Sequence, residues 1–150
     1  MNKRHILKNL ELAKPAHIMF IKEGHKLLQG SPQSEIAKPT SHIGCGFGKW
    51  HVIEGYKLIN IPVLKEVDEL HQEIHNIYMT LYYITFDRRK QARSTILSAG
   101  VEVPIDEKAF RTKKLKQLEK KVVTMVRLLS NVEDKINSMK PDDFESVWFQ

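Results

Sequence analysis

The stretch Pro62-Val63-Leu64-Lys65-Glu66-Val67-Asp68-Glu69-Leu70-His71-Gln72-Glu73-Ile74-His75-Asn76-Ile77-Tyr78-Met79-Thr80-Leu81-Tyr82-Tyr83-Ile84 decides the fold. Its apolar positions Val63, Val67, Leu70, Ile74, Ile77, Leu81 and Ile84 step alternately by four and three, the period of one face of an α-helix. Pro62 suits a helix start, and the pattern predicts a helix from there to about residue 97. His71, His75, Tyr78 and Tyr82 make a second stripe beside the first, so the helix is buried over a wide arc. The same stepping returns in Leu115, Leu118, Val122, Met125, Leu129, Val132 and Ile136. That seam predicts a last long helix from a cap at Asp106 to about Met139, stopped by Pro141, after a break over 98–104. Upstream, residues 2–12 read as helical, and Pro15 either begins a second helix or kinks a continuous one. Residues 15–29 carry His17, Ile21, Gly24 and Leu28 at helical spacing, so His17 faces inward. Gly30-Ser31-Pro32 ends that helix, and residues 31–44 read as a loop with one short turn. Strand alternation, internal repeats and low-complexity tracts are absent. The expectation is an all-α, four-helix-bundle-like domain with an additional long C-terminal helix, a single unit over residues 1–150. The tail aromatics Phe144, Trp148 and Phe149 are expected to dock on it.

The chemistry lies where few residues can be exchanged. His71 and His75, four apart on one helix, place both imidazoles on one face, where they can converge on a single metal ion. Cys45, the only cysteine, stands in Cys45-Gly46-Phe47-Gly48-Lys49-Trp50 and opens a short helical element ending near Gly55. The partial positive charge of a helix N-terminus favours a negatively charged sulfur donor there. His17 is the natural fourth ligand, and a Cys/His₃ set of borderline-soft donors suits tetrahedral Zn²⁺. His25 cannot join His17 on one ion, since eight helical residues separate them by about 12 Å and each ligand must come within about 2 Å of zinc. His5, His25, His42 and His51 read as structural or solvated; of these His42, three residues before Cys45, is the substitute candidate, although a three-residue separation across the Gly44 turn gives no clear facial relation.

These residues resemble the chemoreceptor zinc-binding domain of bacterial signalling proteins. That family shows a His near a helix start with an aromatic three residues on, a Cys-x-[Phe/Leu]-Gly-x-Trp turn, and His-x-x-x-His on a later helix. Here the matching positions are His17 and Phe20, Cys45 to Trp50, and His71 and His75. The resemblance covers roughly 13–80, leaving 98–140 as a C-terminal helical extension. Ala16 stands where many relatives are acidic, and Phe20 where tryptophan is common. It implies a zinc-binding sensor module, responding to zinc or to oxidation of the ligand cysteine, that acts beside a chemoreceptor or cyclase. Neither such output module is attached here, so a separate partner is expected.

Composition narrows the alternatives. A chain of 150 residues suffices for one core. The sequence has no membrane-length apolar run and no signal-peptide core, and a lone cysteine cannot form an internal disulfide, so a cytoplasmic location is expected. Residues 105–140 hold ten Lys or Arg against five Asp or Glu, which concentrates the net charge of +6 there. Without interleaved aromatics to stack bases, this basic helix reads as a solvated face rather than a nucleic-acid surface. Gln72 follows His71, so the His-Glu-x-x-His metallopeptidase pattern is missing, and four protein ligands would close the site; no enzyme is expected. Two stripes on the central helix and a third on the last one suggest a homodimer. The alternative reading is a structural zinc staple in a protein-interaction module, with the basic last helix as its surface.

Overall fold

Among the residues described in the computed structural model, 3–58, 60–86 and 107–143, every regular element is helical. The long helix announced by its stepping seam is α3 (Val63–Phe86); α1 spans Lys3–Gln29, α2 Gly46–Ile53 and α4 Glu107–Ser138. Short 3₁₀ turns lie at Gln33–Glu35 and Gly55–Leu58. The all-α helical bundle and its long C-terminal helix are thus as the sequence led us to expect. The end of the central helix at 97, the break over 98–104, the Asp106 cap and the aromatics Phe144, Trp148 and Phe149 lie outside the described residues.

Each long helix buries the face that its apolar spacing marks out. On α4 every seam residue from Leu115 to Ile136 is buried, joined by Leu128. This seam packs along both α1 and α3, which meet each other over a shorter stretch. On α3 both stripes are buried within one chain: Val67, Ile74, Ile77, Leu81 and Ile84 from the first, His71, His75, Tyr78 and Tyr82 from the second. Val63 and Leu70 of the first stripe are half-buried. Gly24 of α1 faces α4, where a Cβ would stand 2.6 Å from a methyl carbon of Leu115, so glycine permits the close helix approach.

α1 departs from expectation in the register of its buried stripe. The buried stripe is Ile6, Leu10, Ala13, His17, Phe20, Gly24 and Leu27, whereas Ile21 and Leu28 only border the core. The stripe continues from His17 through Phe20 by a step of three, where the sequence reading had stepped by four to Ile21. Of the two alternatives at Pro15, a second start or one continuous helix, the structure has the continuous helix: α1 runs through it. Its ring is exposed, so the carbonyl it leaves without an amide partner faces water. α1 ends where Gly30 takes φ 81° and the Ser31 amide donates to the Lys26 carbonyl at 3.1 Å, the left-handed glycine stop. At the opposite end of the bundle, the Lys3 ammonium donates to the carbonyls of Asn137 and Met139, a cation closing the C-terminus of α4. No helix among the described residues is long and apolar enough to cross a membrane.

Candidate metal centre

α1 contributes His17 on its buried stripe, and α3 contributes His71 and His75 one turn apart. The fourth member comes from the start of α2. Cys45 is the N-cap of that helix, with extended backbone (φ −83°, ψ 166°), and its Sγ accepts the Gly48 amide at 3.3 Å. Gly48 is required by this arrangement. A Cβ on it would lie 1.8 Å from the His42 carbonyl oxygen and 2.9 Å from Ile43 Cα, so only glycine lets the loop before Cys45 close onto α2. Gly55 has a similar duty further on, because a Cβ there would meet the Trp50 ring at 2.7 Å.

The four side chains converge. One donor atom from each of His17, Cys45, His71 and His75 lies within 4.8 Å of every other, and the three histidines are buried. Cys45 Sγ stands 3.2 Å from His71 Nε2 and 3.9 Å from His17 Nε2. Donors about 2.0–2.3 Å from a tetrahedral zinc sit about 3.5 Å from one another, a value that the two Cys45 contacts bracket, so the cluster is compatible with a coordination shell. The rings are already aimed. His17 Nδ1–H donates to the Ala13 carbonyl at 2.7 Å and His75 Nδ1–H to the Thr40 carbonyl at 2.9 Å. A carbonyl can only accept, so both rings carry the proton on Nδ1 and present the Nε2 lone pair inward.

Polar satisfaction supports the same conclusion. His75 Nε2 is buried with no hydrogen-bond partner, an arrangement that costs about 1–3 kcal/mol unless something occupies the lone pair. A cation held among the four donors would do so. Burial pushes His71 down to about 2, helped by the neighbouring imidazoles of His17, His75, His42 and His51. Burial also pushes His75 down to about 4 against the opposing Thr40 hydrogen bond, and lowers His17. Three imidazoles kept neutral are three imidazoles ready to coordinate.

Aromatic rings wall the cluster. Phe20 packs against His75 (ring centroids 4.9 Å apart), and Phe47 against His71 (5.1 Å). Tyr78, one turn beyond His75, donates its hydroxyl proton to the Ala37 carbonyl at 2.5 Å and so ties the 36–45 loop to α3. A crevice of about 350 Å³, bordered by Leu12, Ala16, Met19, Lys38 and Phe47, reaches His17, Cys45 and His75 from outside.

The four residues singled out in the sequence are thus brought together, with geometry consistent with a bound metal ion, while His5 and His25 are engaged elsewhere by Glu54 and Glu119. Missed in the sequence were the carbonyls of Ala13 and Thr40 that orient the rings. The Ala13 contact is an i to i+4 relation within one helix, but nothing marks Thr40, 35 residues before its partner. The chain matches no family model, and no curated protein or solved structure is detectably similar to it. The likeness to chemoreceptor zinc-binding domains accordingly rests on the motif residues themselves.

Proposed function

We propose that this chain is a zinc-binding sensor or regulatory module of bacterial signalling, in which the state of the Cys45 sulfur governs the start of α2. The observation that carries the reading is the convergence of three inward Nε2 atoms and one Sγ from three helices, with His75 Nε2 left unpartnered. A donor set of nitrogen and sulfur favours zinc over hard cations, which prefer oxygen. Bound there, zinc would supply a Lewis-acidic centre without redox chemistry of its own. His17, His71 and His75 hold from the dry interior; Cys45 closes the site from the half-buried side. With four protein donors no corner is left for water or substrate, so the reading is non-enzymatic.

Cys45 has two duties, since the same sulfur that faces the imidazoles also caps α2. A two-electron oxidant such as hypochlorous acid can convert the thiolate to a sulfenic acid, the oxygen passing to sulfur as chlorine leaves as chloride. The product is a poorer donor, and α2 loses its cap as the sulfur withdraws. Exposed Val52, Ile53 and Tyr56 lie on the segment that would then move, and they offer a contact to a second copy or to a separate cytoplasmic output partner. Elemental analysis of protein purified without added metal should find one zinc per chain. Titration with hypochlorous acid should modify Cys45 before Met19, Met79 or Met125. Full oxidation of those methionines with Cys45 still reduced would leave only the structural staple, a reading supported by the way the four donors tie α1, α2 and α3 together.

A further inference from the structure

Seven histidines occur in the chain, and the four outside the cluster differ in one respect. His5, His25 and His51 each face a carboxylate, Glu54, Glu119 and Asp68 respectively. His42 faces none. Its half-buried ring makes no hydrogen bond to any group among the described residues and lies edge-on to His71, centroids 5.7 Å apart. The cluster's own ring pairs are 4.7, 4.7 and 5.6 Å apart, so His42 is as close to His71 as His17 is to His75. Its nitrogens nevertheless fall outside the set of donors within 4.8 Å of one another. The corner it would need is taken by the Cys45 sulfur, which touches the His42 carbonyl oxygen at 3.5 Å.

The backbone beneath His42 is held. A turn closes from the Gly44 amide to the Ser41 carbonyl at 2.9 Å, and Gly48 packs directly on the His42 carbonyl. On this fixed backbone the movement open to the ring is rotation of its side chain. We propose that His42 is a reserve ligand, whose imidazole takes the fourth position when the Cys45 sulfur leaves the site. This rests on the metal-binding reading and adds to it a regulatory consequence: the sulfur can be withdrawn, and α2 released, while the metal stays held by four imidazoles. Such exchange separates the signal from metal loss, so the module can reset without acquiring a new ion.

The experiment uses the full chain loaded with cobalt(II), which reports its donors optically, and measures zinc affinity by chelator competition. Cys45→Ser removes the sulfur while keeping an oxygen that caps α2, and Cys45→Asn is a second sulfur-free background with a capping oxygen. Wild type and His42→Ala should bind one ion with equal affinity and show the thiolate-to-cobalt charge-transfer band. Cys45→Ser should lose that band yet keep tetrahedral visible absorption and one ion per chain. Adding His42→Ala to either sulfur-free variant should then lower affinity at least about ten-fold further and change the visible absorption, as a water replaces the fourth imidazole. Equal binding with and without His42 in those backgrounds overturns the reserve role and leaves the metal centre intact. So does a folded Cys45→Ser protein that holds no metal. A wild-type chain that takes up no metal overturns both.

Discussion

The α4 side of the bundle and the corner between α1, α2 and α3 are both buried, but they are stabilised by different physics. Along α4 the fully buried side chains are apolar: Leu118, Val122, Met125, Leu129, Val132 and Ile136 form the seam, and their burial supplies the stability. In the opposite corner His17, His71 and His75 are buried almost as completely, yet each brings polar nitrogen that water no longer serves. In the second region His75 Nε2 has no hydrogen-bond partner, so an ion held among the four donors would add stability there that the apolar seam does not draw on.

The largest expected effect follows from that difference. Removing metal with a strong chelator should lower stability by on the order of 5 kcal/mol, since an ion bound only by the folded state adds its binding free energy to folding. For a chain of this size that is a fall of about 10–20 °C in Tm. The α4 side should survive it, so helicity measured by far-ultraviolet circular dichroism below the new Tm should stay largely intact. An unchanged melting curve after verified metal removal would break the comparison.

Leu129→Ala should be next. Its fully buried side chain leaves a cavity costing about 2–5 kcal/mol, and the loss should be equal in metal-loaded and metal-free protein because the site is elsewhere. A chelator-competition assay should find zinc affinity unaltered. Gly48→Ala should cost about 2–4 kcal/mol and also loosen metal binding, because its Cβ drives the His42 carbonyl away from α2. Gly46→Ala, whose Cβ would meet nothing within 4 Å, should change stability by less than about 0.5 kcal/mol. If the two glycine variants behave alike, the loop closure described above is wrong.

A last test of the comparison is the pH dependence of the metal-free protein. In the unfolded chain the imidazoles protonate near the ordinary value of about 6.5, whereas burial holds folded His75 down at about 4 and His71 at about 2. Between those values the unfolded state binds more protons, so stability is full above pH 6.5 and falls as the pH drops toward 4 and below. The slope should be about 1.4 kcal/mol per pH unit for each imidazole. Urea titrations from pH 7 to 4 should show it, and His71→Phe should flatten it.

Much of this molecule is written locally. The seams of α3 and α4 could be read residue by residue because helix period alone decides which side chains share a face. The four convergent residues were legible too, since a His pair at one-turn spacing and a lone cysteine before a glycine-rich turn are chemical statements in themselves. Only tertiary structure decided the register of α1, where packing selects Phe20, which meets His75 and Tyr78 of α3, and Leu27 over Ile21 and Leu28. It alone brought the Thr40 carbonyl to His75, the His42 backbone onto Gly48 and the His42 ring beside His71. Those contacts join segments of irregular backbone to helices across the fold, and no periodicity in the chain records where a loop carbonyl will point once the helices have packed.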